Sequence, residues 1–244
     1  MAITEDGSLW AWGLNRLGQL GDGTDIDRHY PVKIMDNMAS VSTNVGDIMY
    51  SAVTNTLIAA LRTDGTLLTW GADIRDRDFG RPAGSDGPQS RRYLSAPIEV
   101  MRNVSDFSVG NGHIMAITSD NTLWGWGVNS RRQVSTSSNH IPSPVPVKND
   151  VIAVSAGSRH TMAITSDGTL WGWGANWRRQ KDDVIAVSAG GGYTMAITSD
   201  GTLWGWGGNR KGGLATEQQR NAIALLGLWM MWLWFRLAAI TLWL

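Results

Sequence analysis

Residues 162–174 read Met-Ala-Ile-Thr-Ser-Asp-Gly-Thr-Leu-Trp-Gly-Trp-Gly, and residues 195–207 repeat them without a single change. Related copies occupy residues 1–13, 60–71 and 115–127. In every copy a β-rich run leads into a tight turn, and the return run carries one or two tryptophans. Because self-similarity at intervals of a few tens of residues is typical of repeat architectures, the chain is predicted to be an array of one β-hairpin unit.

The Asp-Gly pair predicts the turn of each hairpin. It is a strong two-residue hairpin signal, since a type I′ turn needs positive φ at both central positions. Asn121 replaces the glycine in one copy and tolerates the same conformation. Side chains that alternate with a period of two place both tryptophans of a return strand on one face, and the glycine between them leaves room for a neighbouring layer. We expect these indoles to be core residues and not a platform for stacking bases or sugars.

A more complete unit is visible near the start of the chain. The turn-rich loop 18–24 is followed by the short strand 31–34, and a strand of the Val-x-x-Val-Ser-Ala-Gly type completes the set. Four short antiparallel strands in about 50 residues are typical of one propeller blade. Residues 9–15 followed by 18–24 resemble the regulator of chromosome condensation repeat, in its bacterial form, and the resemblance covers residues 1–213. It implies a β-propeller of seven blades when complete.

The expected fold class is therefore all-β, an incomplete β-propeller of four-stranded antiparallel blades. Residues 1–213 are expected to form four to five partial or complete blades, followed by an apolar tail at residues 214–244. The strand that would precede Met1 in the repeat is missing. Trp206 follows Trp173 after only 33 residues, which leaves no room for the turn-rich loop and the Pro-Val strand. One blade is thus expected to have lost its outer half.

The tail has two interpretations. Residues 222–244 are almost wholly apolar apart from Arg236 and are long enough to span a bilayer. However, tryptophan and methionine have single codons, so residues 229–232 are encoded by TGG ATG ATG TGG. Read one nucleotide earlier, these bases give Asp-Asp-Val, and permitted codons then continue the repeat motif. We therefore interpret residues 214–244 as a frame-shifted remnant of a further blade, with a membrane anchor as the alternative.

Composition narrows the function classes. The chain has 21 Lys and Arg residues and 21 Asp and Glu residues, so it carries no net positive charge that would favour binding to nucleic acid. Cysteine is absent, which excludes disulfides and thiolate metal sites. No histidine or carboxylate cluster has metal-ligand spacing, so we expect no cofactor, no metal and no catalytic residue. The chain shows no signal peptide, and a cytoplasmic or an extracellular location stays open.

The histidines and aspartates of the repeat are expected to be structural. His113 and His160 occupy the same repeat position, where the last copy has Tyr193. A catalytic or metal-binding role would not recur unit after unit and then be replaced by tyrosine. Aspartates such as Asp6 and Asp167 are expected to form turns.

Arginine pairs are the candidates for partner binding, although a solvated surface is the alternative for each. One pair lies in the irregular segment Asp73–Pro97, whose composition is typical of a variable binding loop. Two further pairs follow Gly-x-Asn in equivalent units and are expected along one rim, where they would meet an acidic partner. The predicted partner-binding residues are Arg91, Arg92, Arg131, Arg132, Trp177, Arg178 and Arg179.

The sequence favours a non-catalytic protein-interaction scaffold, and the chain is expected to be a fragment with an unidentified protein partner. No nucleic-acid partner is expected, and a membrane partner only if the tail at 222–244 is genuine. Three alternatives stay open. The resemblance implies guanine-nucleotide exchange on a small GTPase, as in the eukaryotic founder of the family; a genuine tail implies a membrane-anchored surface protein; and the breaks in the pattern allow a decayed gene product.

Overall fold

The computed structural model describes residues 1–44, 56–75, 93–136, 138–175 and 181–208. Within these ranges the chain forms seventeen β-strands in five antiparallel sheets, and the described residues contain no α-helix. We call the sheets blades 1 to 5 in chain order. The described part of the chain is therefore all-β, as predicted.

The bounds of the strands are as follows. Blade 1 contains β1 (Ala2–Ile3), β2 (Leu9–Gly13) and β3 (Arg28–Met35). Blade 2 contains β4 (Met38–Asn44), β5 (Leu57–Arg62), β6 (Leu67–Ala72) and β7 (Tyr93–Met101). Blade 3 contains β8 (Val104–Val109), β9 (His113–Thr118), β10 (Leu123–Val128) and β11 (His140–Lys148). Blade 4 contains β12 (Val151–Ala156), β13 (His160–Thr165) and β14 (Leu170–Gly174). Blade 5 contains β15 (Val184–Ala189), β16 (Tyr193–Thr198) and β17 (Leu203–Gly207).

Strands within a blade pair in chain order. The first strands of blades 3, 4 and 5 contact one another in succession, so we call them inner strands and the fourth strands outer strands. Blades 2 and 3 have all four strands. Among the described residues, blade 1 lacks the inner strand, and blades 4 and 5 lack the outer strand.

Blade 4 keeps a remnant of its outer strand. A single antiparallel bridge joins Leu170 to Lys181. Lys181 corresponds to Lys148, the last residue of the outer strand in blade 3, which pairs with Leu123. Three strands and this bridge are therefore described for blade 4, and because residues 176–180 lie outside the described residues, the loss of its outer half stays a prediction.

The hydrophobic core lies between adjacent blades. The largest cluster joins blades 2, 3 and 4 and includes the fully buried residues Leu67, Ile117 and Leu123. A second cluster joins blades 1 and 2 around Leu9, and a third joins blades 4 and 5 around Met162. Sheets that pack side by side through their faces are the arrangement of a β-propeller, which confirms the fold class.

The hairpin turns differ from the predicted type I′. In the first hairpin Gly7 N donates to Thr4 O at 2.8 Å, and Thr4 N donates to Ser8 O at 3.0 Å. Gly7 has φ of 79°, whereas Asp6 is outside the left-handed region. This is a three-residue loop, a type I turn closed by a glycine bulge. Asp6 contributes through its carboxylate, which accepts hydrogen bonds from the Thr4 hydroxyl and Ser8 N.

The same carboxylate contact recurs in the other four hairpins, so the aspartates form turns as predicted. Each accepts a hydrogen bond from the backbone N–H two residues later. The residues concerned are Asp64, Asp120, Asp167 and Asp200.

Two predicted regions are only partly described or not described. The segment Asp73–Pro97 was predicted to be irregular, but its last residues, from Tyr93, belong to β7. Residues 76–92 and the tail at 214–244 lie outside the described residues. In the part of the chain that is described, no helix is long and apolar enough to cross a membrane.

Candidate partner-binding surface

Buried histidines connect successive blades near the inner strands. His113 Nε2 lies 2.9 Å from Thr161 Oγ1 of the next blade, and His160 Nε2 lies 3.0 Å from Thr194 Oγ1. Burial, together with the charge of nearby His160, lowers the pKa of His113 to about 3, and burial also lowers the pKa of His160. Both rings are therefore neutral at neutral pH. They contact neighbouring blades and not solvent, which agrees with the structural role predicted for them.

Two hydrogen bonds between the same blades accompany each histidine contact. At the interface of blades 3 and 4, Ser108 Oγ accepts a hydrogen bond from Ala156 N at 2.9 Å, and Asn111 N donates to Gly157 O at 3.3 Å. A Cβ added to Gly157 would lie 2.5 Å from Cε1 of His160, so the ring needs a glycine there. The interface of blades 4 and 5 repeats both bonds, between Ser155 and Ala189 and between Ser158 and Gly190.

The second tryptophan of a hairpin packs against the preceding blade. Trp70 is fully buried, and its Nε1 donates to Gln19 O of blade 1 at 3.1 Å. Gly21 leaves room for this ring, because an added Cβ would lie 2.7 Å from Trp70 Nε1. Trp126 is 1% exposed, whereas Trp12 is 44% exposed, since no blade precedes it among the described residues. The predicted core role is therefore confirmed for Trp70 and Trp126 and wrong for Trp12.

In blades 4 and 5 the first tryptophan of the hairpin lies beneath a lysine of the preceding blade. Lys148 Nζ lies 3.6 Å from the ring centroid of Trp171, and Lys181 Nζ lies 3.8 Å from that of Trp204. A cation held over an indole is attracted by the ring quadrupole. Blade 4 thus has the lysine that contacts blade 5, although no outer strand is assigned to it among the described residues.

A basic loop follows β10. Arg131 and Arg132 are both exposed. Asn129 organises the loop, because its Oδ1 accepts a hydrogen bond from Val134 N at 2.9 Å. Gln133 Oε1 accepts a hydrogen bond from Arg131 N at 2.8 Å. The loop backbone is thus fixed by side chains of the loop itself, and the two arginine side chains project from a defined support.

Arg132 has the backbone conformation of a glycine. Its φ is 62°, and the equivalent residue of blade 1 is Gly18, with φ of 66°. A Cβ added to Gly18 would lie 2.5 Å from Cα of Ser95, in the outer strand of blade 2. Blade 4 has no such strand among the described residues, so Arg132 can carry a side chain. The other described non-glycine residues with positive φ are all Asn or Asp: Asn37, Asn103, Asn121, Asp150 and Asp183.

Two of the predicted partner-binding residues can be located. Arg131 and Arg132 lie side by side and are exposed, as expected. The other predicted residues, Arg91, Arg92, Trp177, Arg178 and Arg179, lie outside the described residues. The alignment of two arginine pairs along one rim stays a prediction. Sequence reasoning missed the strained backbone of Arg132, although its alignment with Gly18 carried that signal.

The turn-rich loop of blade 1 is closed by its own side chains. Arg28 Nε donates to Asp22 Oδ2 at 2.6 Å, and Asn15 Nδ2 donates to Asp22 Oδ1 at 3.0 Å. Burial opposes the charged form of Asp22, but hydrogen bonds from Thr24, Arg28 and Asn15 outweigh it and lower its pKa to about 2. Hydrogen-bond donors of the loop itself therefore bind the Asp22 carboxylate. Across the described ranges, no group of three or more His, Asp or Glu is placed to hold a metal ion.

A cleft of 160 Å³ lies between blades 2 and 3. Its lining includes Trp126, Pro144, Glu99 and the ion pair between Asp73 and Arg75, in which Nε and Oδ1 are 2.8 Å apart. Pockets for drug-sized ligands have volumes of roughly 300–1,000 Å³. The cleft is too small for such a ligand, and the basic loop is the stronger candidate for a binding surface.

Comparisons of sequence place the chain among known repeats. Two sequence models of the Regulator of chromosome condensation (RCC1) repeat match it, one at residues 104–133, 151–178 and 184–212, the other at residues 6–48 and 120–164. The ultraviolet-B receptor UVR8 of Arabidopsis thaliana is 32% identical over 140 residues, which are 57% of this chain and 29% of the receptor. The mitochondrial RCC1 domain-containing protein RUG3 of the same plant is 29% identical over 144 residues, 57% of this chain and 30% of that protein. The chain thus spans less than a third of these relatives.

Comparisons of structure give the same fold. Human WBSCR16 superposes with a TM-score of 0.66 at 17% identity, over 85% of this chain and 58% of that one. Prp20p of Saccharomyces cerevisiae, described together with its binding properties to Gsp1p and histones, superposes with a TM-score of 0.63 at 18% identity, over 84% of this chain and 54% of that one. These relatives are eukaryotic, and the bacterial origin expected from the sequence stays a prediction.

Proposed function

Because this chain belongs to the regulator of chromosome condensation (RCC1) repeat family, we propose that it is a non-catalytic scaffold that binds a protein partner through the basic loop of blade 3. The family relatives include a receptor, and the yeast structure was described with its protein-binding properties. A propeller suits such a role, since rigid sheets present loops that need no chemistry of their own.

The backbone of Arg132 is the observation that carries this proposal. A residue other than glycine, asparagine or aspartate at positive φ costs free energy of the order of 1–2 kcal/mol. Glycine serves at the equivalent position of blade 1, so the fold itself does not require an arginine there. Strain that the fold does not need is typical of a functional position.

The charge of the loop indicates an acidic partner. The whole chain is neutral, with 21 basic and 21 acidic side chains, so its attraction for anions is local. Arg131 and Arg132 are adjacent and exposed, and neither takes part in a described salt bridge. Exposed charges of this kind chiefly steer association and select partners, and salt weakens their effect.

Affinity capture with matched variants tests the proposal. The full chain and the variant Arg131→Glu/Arg132→Glu are immobilised and exposed to the same extract. Arg102→Glu serves as the control for charge reversal at another exposed site, where Arg102 pairs with Glu99. We expect a salt-sensitive set of acidic proteins on the full chain and on Arg102→Glu, and its loss on the double variant.

Equal capture by all three proteins would contradict the role of the basic loop. Nucleotide exchange is the rival function that the resemblance implied, and a nucleotide-release assay with purified small GTPases measures it directly. Release that the chain accelerates, and that Arg131→Glu/Arg132→Glu leaves unchanged, would replace the scaffold proposal by an exchange function.

A further inference from the structure

The connections between strands lie at two opposite faces of the array. Because neighbouring strands of a blade are antiparallel and pair in chain order, the first and third connections of a blade lie at one end, and the second lies at the other with the link to the next blade. We call these ends the loop face and the turn face. In blade 4 the loop face carries residues 157–159, and the turn face carries residues 166–169. Ser166 N donates to Asp150 O, in the link from blade 3, at 2.8 Å, which agrees with this assignment.

Charge is divided between the two faces in blades 3 to 5. The described residues of the loop face include three exposed arginines, Arg131, Arg132 and Arg159, and no aspartate or glutamate. The turn face carries six exposed aspartates instead: Asp120, Asp150, Asp167, Asp182, Asp183 and Asp200. An acidic partner is therefore attracted to the loop face and repelled by the turn face.

Arg159 lies beside the basic loop although it belongs to the next blade. A Cβ added to Gly174 would lie 2.4 Å from Arg159 O and 3.1 Å from Cα of Gln133. The two loops thus meet at Gly174, and Gln133 directly follows Arg132 in the basic loop. Arg131, Arg132 and Arg159 therefore make up one positively charged surface across the junction of blades 3 and 4, which we call the junction surface.

The fold does not require an arginine at position 159. The backbone O of Arg159 accepts a hydrogen bond from Ala175 N at 2.9 Å. The equivalent bond of blade 3 runs from Val128 N to Gly112 O, and Gly192 takes this place in blade 5. Glycine therefore serves in both neighbouring blades, and the arginine side chain adds charge to a backbone that is already held.

The described neighbours do not neutralise the junction surface. Arg159, like Arg131 and Arg132, takes part in no described salt bridge. The chain continues from Ala175, which is bonded to Arg159, into residues 176–180, which lie outside the described residues. Their sequence, Asn-Trp-Arg-Arg-Gln, contains two further arginines and no acidic residue. They therefore add positive charge to the chain at this point and supply no carboxylate that would cancel it.

We propose that the junction surface binds an acidic segment of a protein partner, a run of aspartate or glutamate residues that crosses from blade 3 to blade 4. The proposal rests on the scaffold function and deepens it, because it extends the basic loop to a second blade and names the chemistry of the partner. Guanidinium groups donate paired hydrogen bonds to carboxylates. Since the arginines come from two separately supported loops, carboxylates of several residues are needed to meet them, and a run of acidic residues supplies these.

Fluorescence anisotropy with a labelled peptide of four Glu-Ser repeats tests the surface. The full chain is titrated into the peptide, and the same peptide with glutamine in place of glutamate is the uncharged reference. We expect saturable binding of the Glu-Ser peptide alone, weakened at least about tenfold when the ionic strength rises from about 10 mM to about 150 mM, because salt screens exposed charges. Arg159→Glu should weaken binding about fivefold, since a repulsion then replaces an attraction.

Two variants serve as matched controls. Arg102→Glu changes the net charge by the same amount as Arg159→Glu, but on the turn face, and should alter the affinity less than about twofold. Arg159→Gly introduces the residue that blades 3 and 5 have at this position, so it keeps the fold and should weaken binding about two- to threefold. A photoreactive group on the peptide, followed by mass spectrometry, should label both the basic loop and residues 157–160.

Three results would overturn the junction surface: no saturable binding of the Glu-Ser peptide, equal affinities of Arg159→Glu and the full chain, or equal losses in Arg159→Glu and Arg102→Glu. A single-stranded oligonucleotide that displaces the peptide and binds more tightly through the same arginines would replace the acidic segment by nucleic acid.

Failure of the scaffold function gives a different pattern. Capture of acidic proteins that depends on Arg131 and Arg132, with no effect of Arg159→Glu, would keep the basic loop and reject the junction surface. Peptide binding that Arg159→Glu weakens and Arg131→Glu/Arg132→Glu leaves unchanged would reject the basic loop, and with it the proposed scaffold.

Discussion

At the scale of single residues, Arg132 and Gly18 show how one repeat position can carry a side chain in one blade and exclude it in another. The two residues share a left-handed backbone. In blade 1 the outer strand of the next blade leaves no space for a side chain there, and in blade 3 that strand is absent from the described residues. A side chain is therefore present where the neighbouring outer strand excludes one in blade 1.

Replacing Arg132 by glycine is expected to stabilise the chain and to weaken partner binding. Arg132→Gly relieves the left-handed strain and should raise the free energy of unfolding by about 1 kcal/mol. Urea unfolding followed by tryptophan fluorescence measures the change. Arg131→Gly is the control, since Arg131 is not at positive φ and should gain nothing. Destabilisation by Arg132→Gly would show that the arginine side chain supports the loop.

The buried histidines predict a loss of stability in weak acid. In the unfolded chain His113 is protonated below its ordinary pKa of about 6.5. In the folded chain burial lowers the pKa of His113 to about 3, so the ring stays neutral until the pH approaches that value. The unfolded state thus binds more protons in this window, and the free energy of unfolding falls as the pH falls. The slope from His113 approaches about 1.4 kcal/mol per pH unit once the pH is well below 6.5.

Urea midpoints between pH 7 and pH 5 measure this slope. The range stays above the ordinary pKa of the turn aspartates, whose folded values are lower still, so they contribute little. The variant His113→Leu/Thr161→Ile removes one titrating group and should flatten the profile. A profile of unchanged slope in that variant would place the pH dependence elsewhere.

At the scale of elements, the contact between blades is a matched pair of side chains. His113 and Leu57 are equivalent, since each opens its strand and pairs with the glycine after the second tryptophan. Leu57 belongs to the same buried cluster as Ile114, the counterpart of Thr161. A polar pair thus connects blades 3 and 4 where an apolar pair serves blades 2 and 3.

Exchanging one pair for the other is expected to be tolerated only when both partners change. His113→Leu should cost about 1–3 kcal/mol, because the buried Thr161 hydroxyl loses its partner. Adding Thr161→Ile should recover most of that loss. A double-mutant cycle from urea unfolding measures the coupling. Strictly additive effects would show that the two side chains do not act as a pair.

The sequence predicts these elements well and their turns less well. Repetition locates the hairpins and the Pro-Val strands, because each copy of the unit can be compared with the others. The predicted type I′ turn was wrong. The Asp6 carboxylate accepts hydrogen bonds from Thr4 and Ser8, and these stabilise a type I turn with a glycine bulge instead. The exposure of Arg131 and Arg132 followed from alignment of the loops. The strain at Arg132 depends on the space beside the neighbouring blade, which the sequence of a single unit does not reveal.

At the scale of the whole molecule, stability is concentrated in the middle of the array. The largest buried cluster joins blades 2, 3 and 4, and all residues of β9 are buried. Blade 5 has neighbouring contacts on one side among the described residues, and none of the residues of β17 is fully buried. The terminal blade is therefore the least supported sheet.

Hydrogen exchange is expected to follow this gradient. Amides of β9 and β10 should exchange at least about tenfold more slowly than those of β16 and β17, because opening blade 5 exposes less apolar surface than opening the centre. Exchange measured by mass spectrometry on peptic fragments resolves the two regions. Uniform protection across all five sheets would show instead that the array opens as one unit.

Lys181 shows which contact must be kept when the strands of one blade are shortened by design. Its ammonium covers Trp204 of blade 5, although blade 4 has three strands among the described residues. The equivalent deletion in blade 3, of residues 134–147, would keep Lys148 and its contact with Trp171. A designer can therefore shorten the loop and outer strand of one blade and keep the cation–π contact that holds the next blade beside it.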